Sequence, residues 1–182
     1  MLPEPEFAVL LAMSHEQRAA FAAGVTERVF DLYMDCATPY RGDVWEAITT
    51  AWDRASGVAV PDGTAARLTE TLDRESGNYC DIPKQSIALP FGVIAATKHA
   101  LKVALSGDPR DAGAAADFAR DDVARAVHAH GGLNDPDAAD QEELRWQIGW
   151  LHHVGATEPE TARSGFAAHT VTKPTWYLRW EN

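Results

Sequence analysis

Four consecutive residues, Ser106-Gly107-Asp108-Pro109, end one helix and begin another. Glycine takes the left-handed conformation that closes a helix, and aspartate offers an acceptor to the free N–H groups of the next one. Proline suits the first helical position because no backbone donor is needed there. So short a link makes the two helices antiparallel neighbours. The cap-plus-proline pair recurs at Asp135-Pro136, and Ser14-His15-Glu16-Gln17 has the form of a capping box. Between these signals apolar residues return every three or four positions, and no alternating pattern competes before residue 165. The expectation is an all-α single-domain bundle.

The spacing predicts six helices, near 14–37, 43–56, 62–76, 86–106, 109–130 and 136–154. Phe21, Val25, Val29, Leu32 and Cys36 form the buried face of the first, and Trp45, Ile48, Trp52 and Ala55 that of the second. Leu68 and Leu72 mark the third. Ile87, Phe91, Ile94, Leu101 and Leu105 mark the fourth, with Lys98 off pattern. The fifth carries an alanine stripe, Ala112, Ala116, Ala119 and Ala126 with Val123, whose small side chains allow close packing and a central place. Leu144, Ile148 and Leu151 face the core from the sixth, with Trp146 and Trp150 one turn apart on a neighbouring face. Residues 73–84 read as a loop because Gly77-Asn78 and Pro83 interrupt regular structure.

Charge divides the chain. Its 182 residues hold 16 Lys and Arg against 27 Asp and Glu, a formal net charge of -11. Residues 161–182 hold Arg163, Lys173 and Arg179 against Glu181 alone, leaving 13 of the 16 cations and 26 of the 27 anions in residues 1–160. The basic tail, with Trp176, Tyr177 and Trp180, reads as an extended aromatic arm of the same domain. It either packs back on the acidic bundle or reaches a second subunit to form a homodimer. An acidic surface repels nucleic acid and anionic membranes, so neither is an expected partner. No run approaches the roughly 18 apolar residues that span a bilayer, and the start lacks the charged region of a secretory signal. The expected location is the cytoplasm. Cys36 and Cys80 have no CxxC spacing and read as separate reduced thiols.

Catalytic signatures are missing. There is no G-x-S-x-G elbow, no phosphate-cradling glycine loop and no HExxH. His128-Ala129-His130 and His152-His153 are the histidine clusters, at spacings that send the rings about 200° and about 100° apart on a helix. A site joining His130 to His152 with Glu142 or Asp121 is the one metal arrangement the order of helices suggests. Solvated helix-end histidines are the simpler reading, and no metal or cofactor is expected. Asp117, Asp121 and Asp122 lie beside Arg120 and Arg125. Asp135, Asp137, Asp140, Glu142 and Glu143 crowd the start of the sixth helix, where the dipole favours anions. In the 73–84 loop Tyr79, Asp81 and Lys84 are the remaining candidates, since functional side chains favour loops on rigid scaffolds.

Glu27-Arg28 with Tyr33, Gly42-Asp43 followed by Trp52, Ala95-Ala96 through Leu101 to Ser106-Gly107-Asp108, and Ala119-Arg120-Asp121 before Val123 form a series. In these residues the chain resembles, over about residues 14–130, the YjaG-like family of small bacterial helical proteins, whose function is not established. The resemblance implies an all-α fold and transfers no catalytic residue. Small size, acidity and abundant tryptophan point to a non-catalytic protein-binding module. The most concrete form is an immunity or inhibitor protein that neutralises a bacterial toxin or regulates a basic protein partner. Its docking face is expected at Asp137, Asp140, Glu143, Trp146 and Trp150. The alternative is a small enzyme or ligand-binding bundle with a pocket lined by Trp146, Trp150, His152 and Tyr79.

Overall fold

The computed structural model describes residues 1–34, 41–80, 88–129 and 135–170. Among the described residues there are eight helices and no strand: α1 (Glu4–Ala12), α2 (His15–Met34), α3 (Arg41–Ala55), α4 (Asp62–Cys80), α5 (Ala88–Ser106), α6 (Pro109–Ala129), α7 (Pro136–Ala156) and α8 (Pro159–His169). The all-α expectation holds, and the count of six does not.

The capping signals act as read. Ser14 Oγ accepts from the Gln17 N–H at 3.2 Å, while Gln17 Oε1 accepts from the Ser14 N–H at 3.0 Å. At the α5–α6 junction Gly107 has φ +70°, and Asp108 Oδ1 accepts from the Arg110 N–H at 2.8 Å. The Arg18 guanidinium then gathers helix-end carbonyls that lack intrahelical partners. It donates to Leu10 O at 3.0 Å, Leu11 O at 2.8 Å and Gly107 O at 2.8 Å. One side chain of α2 thereby ties down the end of α1 and the α5–α6 turn.

Two helices hold the centre. Residues 19–23 and 25–26 of α2 are wholly buried, and so is α5 at Val93, Ile94, Ala96, Thr97, Ala100 and Val103. The alanine stripe of α6 is buried as expected, and α6 packs on α5, α2 and α7. In α3 the buried face is Val44, Ala47, Ile48, Ala51, Trp52 and Ala55; Trp45 stands to one side, 38% exposed, against Phe30 with ring centroids 5.1 Å apart. Leu105, placed with the core of α5 by spacing, is exposed.

Three assignments change. α1 precedes the first expected helix; its apolar residues Phe7, Val9, Leu10 and Leu11 form no stripe, and only Leu10 is fully buried. The loop expected over 73–84 is helical to Cys80, because Gly77-Asn78 can stay in a helix at a cost of about 1 kcal/mol for the glycine. Asp73 there pairs with Lys98, which explains the one charged position on α5's face. Finally, the extended arm expected from residue 161 begins as α8, which closes at Thr170; residues 171–182 lie outside the described residues.

Candidate functional site

The densest chemistry lies where α8 crosses α2, α3 and α7. α7 supplies Glu143, Trp146, Gln147, Trp150 and His153 at spacings of three and four, so all share one side of the helix. The Trp150 ring is fully buried beside Gly24 of α2, whose missing side chain leaves room for it. Its indole N–H donates to Phe21 O at 3.3 Å. Trp52 of α3 meets Trp150 edge-on at 6.2 Å and donates its indole N–H to Glu27.

A charge pair sits under this aromatic layer. Arg28 Nε donates to Glu143 Oε2 at 2.8 Å, and their side chains are 6% and 0% exposed. The guanidinium also lies over the Trp146 ring, 4.1 Å from its centroid. Burial pushes the Glu143 carboxyl up, and the attraction of Arg28 works against that rise. Gln147 donates to Ala116 O of α6 at 3.0 Å. Glu143 Oε1, Gln147 Oε1 and Trp146 Nε1 are buried and make no hydrogen bond among the described residues.

α8 covers the layer with few groups. Ala162 and Phe166 are its buried residues. Phe166 stands edge-on to Trp150 at 5.4 Å and tilted on Trp52 at 5.6 Å. His169 lies 5.5 Å from Trp146 and 5.6 Å from Trp150, ring to ring, and 5.9 Å from His153 in a stacked pair. Burial and the neighbouring His153 and Arg28 disfavour a proton on His169, and the Trp146 carbonyl partly offsets them; its pKa is lowered.

A second buried carboxylate lies elsewhere. Asp122 of α6 accepts from the Gly92 N–H at 3.1 Å and the Val93 N–H at 2.7 Å, in the first turns of α5. Burial drives its pKa well upward, against the pull of those N–H groups and Arg125.

The expected docking residues separate in the structure. Asp137 is exposed. Asp140 is in a bidentate pair with Arg120, at 2.9 Å from its Nε. Glu143 and Trp150 are fully buried, so neither lies on a surface, and Trp146 is half-buried beneath Arg28. This corrects the sequence reading. α7 turns its 143–147–150 stripe inward against α2 and α6: Glu143 meets Arg28, Gln147 meets Ala116, and Trp150 meets Phe21 and Gly24, with α8 closing over Trp150. His152 of the alternative pocket is exposed, and His153 takes the place beside Trp150. Tyr79 belongs to α4, whereas Asp81, Lys84, His130 and Cys36 lie outside the described residues. Among the described residues no group of three metal-ligating side chains converges, and no helix is long and apolar enough to cross a membrane.

Open negative charge collects at the other end of α7. Asp135 caps the helix, accepting from the Asp137 N–H at 3.0 Å, and both residues are exposed. The Met1 amine meets Asp117 at 2.6 Å, which brings the start of α1 with Glu4 to the same surface, and Arg125 reaches Asp121 at 3.7 Å. No family model, curated protein or solved structure matches this chain.

Proposed function

We propose that this chain is a non-catalytic protein-binding module that captures a basic protein partner, in the manner of an immunity or inhibitor protein acting on a toxin. The observation that carries the reading is the uneven pairing of acids around the α6–α7 end. Arg120, Arg125 and the Met1 amine answer Asp140, Asp121 and Asp117, while Glu4, Asp135 and Asp137 are exposed with no ion pair among the described residues. An excess of one sign on one surface steers an oppositely charged partner and repels others. The docking face is therefore Asp137 with Asp135 and Glu4, and it excludes Glu143 and Trp150.

The test begins with the partner recovered by co-purification and measures association by surface binding. Added salt should slow association steeply, because exposed charges are screened over about 8 Å at physiological strength. Glu4→Lys with Asp137→Lys should lower the on-rate and leave the helical signal unchanged. An on-rate indifferent to both salt and reversal overturns the proposal.

A second reading, a ligand-binding bundle, is favoured by the unpartnered Glu143 Oε1, Gln147 Oε1 and Trp146 Nε1. Two acceptors and one donor suit a small group that both gives and takes hydrogen bonds, such as a primary amide or water. A small amide that raises the melting temperature of the wild-type chain but not of Gln147→Leu would support this reading; equal shifts in both would end it.

A further inference from the structure

The α7–α8 hairpin repeats one short pattern. Gly149-Trp150-Leu151-His152-His153 on α7 and Gly165-Phe166-Ala167-Ala168-His169 on α8 both read glycine, aromatic, aliphatic, any residue, histidine. The contacts are reciprocal. The His153 ring lies against Gly165 so closely that a side chain there would collide with it, and the His169 ring lies 3.5 Å from the place a side chain would take at Gly149. Between these two contacts Trp150 meets Phe166, and the two imidazoles stack on each other.

We propose that this reciprocal pair of histidines is an acid-operated latch, which holds α8 on the bundle when both rings are neutral and releases it when they take up protons. Two imidazolium rings stacked 5.9 Å apart repel, and the His153 ring cannot move off without leaving its close seat against Gly165. The groups that face the pair offer no relief. From α2 come Arg28, a fixed cation already committed to Glu143, and Glu27, held by the Trp52 indole N–H; from α7 comes the Trp146 carbonyl, which favours a proton on His169; from α3 comes the uncharged Trp52, under Arg163 of α8 at 5.9 Å. Burial, His153 and Arg28 disfavour a proton on His169, and the Trp146 carbonyl works the other way. The depressed proton affinity of His169 is what such a site produces.

The cover is light enough to be moved. α8 buries only Ala162 and Phe166, its N-cap Glu158 makes no side-chain capping bond, and it joins α7 through Thr157-Glu158 alone. Segments with few buried contacts open at free energies below that of global unfolding. Release would uncover Trp52, Trp150 and Phe166 and leave the α2–α5–α6 core in place. The latch is independent of whether the acidic end of α7 binds a partner.

Hydrogen exchange read peptide by peptide at pH 7.5 and pH 5.5, corrected for the intrinsic pH dependence of exchange, tests this on the whole chain. Amides of α8 should lose protection by about tenfold, while those of α2 and α5 keep theirs. His153→Phe with His169→Phe, which keeps two flat rings and removes both protons, should abolish the loss. If that double variant does not fold, His169→Gln alone should reduce the loss. Constant α8 protection down to pH 5.5, a loss shared by the whole molecule, or a loss undiminished in the folded variant would each overturn the latch.

Discussion

Asp137 and Glu143 are both acids in the first two turns of α7, and they have opposite physical roles. Asp137 faces water with no cation beside it, so its charge acts outward on whatever approaches. Glu143 is shut beneath Arg28 and Trp146, so its charge acts inward and its removal strands a buried guanidinium. The difference is angular. Six residues along a helix carry the side chain from the solvent side to the side that α2 and α8 cover. Acid content alone therefore says little about a docking surface; what matters is which acids lack a cation and face water.

Replacing Glu143 is the strongest way to break this comparison. Glu143→Lys or Glu143→Ala should cost about 3–5 kcal/mol, because the partner charge stays buried without compensation. Urea unfolding followed by far-UV circular dichroism gives the number. A loss under about 1 kcal/mol would mean that Arg28 escapes to water and that the pair is no more buried than Asp137.

Gly24→Ala comes next, at about 1–3 kcal/mol, since the added methyl meets the Trp150 indole and forces α2 and α7 apart. The same unfolding curves should show it together with a red shift of tryptophan emission.

The third prediction concerns pH and separates the two buried carboxylates from surface acids. Asp122 and Glu143 both have folded pKa values above their unfolded ones. Such groups favour the fold most below the unfolded values of 3.8 and 4.5, and that contribution is lost as pH rises through the folded values. Asp122→Asn removes one of these slopes, so the stability advantage of the wild type over the variant should shrink from pH 4 toward pH 7. The variant also turns an amide N–H₂ toward Gly92 or Val93, a loss of about 1–3 kcal/mol at low pH. A pH-independent difference would mean that the Asp122 carboxyl titrates as it does in the unfolded chain. His169 has the reverse sign: its pKa is depressed, so its contribution is present above about 6.5 and is lost as pH falls below that value.

The smallest effect belongs to Asp137→Lys, expected within about 0.5 kcal/mol of wild type by urea unfolding. A larger destabilisation would show that Asp137 supports the α7 N-terminus through the helix dipole and is no free surface charge.

Most of the fold was legible because its stops and caps are local. Ser14, Gly107, Asp108 and Asp135 act within a few residues of their own position, and each does so in the structure. The missed elements have weak local signals. α1 spreads its apolar residues around the helix, and α8 starts at Glu158-Pro159, where glutamate is a poor cap. Pro159 and the Ala162–Phe166 spacing were the available signs of α8, and the glycine-histidine repeat was readable as well. What no local pattern reveals is that α2 covers Trp150 and Glu143 of α7. That fact comes from two segments distant in the chain, and it decides which of the acidic and aromatic residues of α7 reach solvent.

The reciprocal seating of His153 on Gly165 and His169 on Gly149 also bears on how this sequence can drift. Gly165 is constrained by the His153 ring carried on the other helix, whereas a methyl group at Gly149 would meet the His169 ring at an ordinary contact distance of 3.5 Å. In diverging descendants of this chain, then, 165 should change with 153, while 149 can acquire a methyl group with His169 still in place. Where His153 is replaced by a small side chain, position 165 becomes free to do the same.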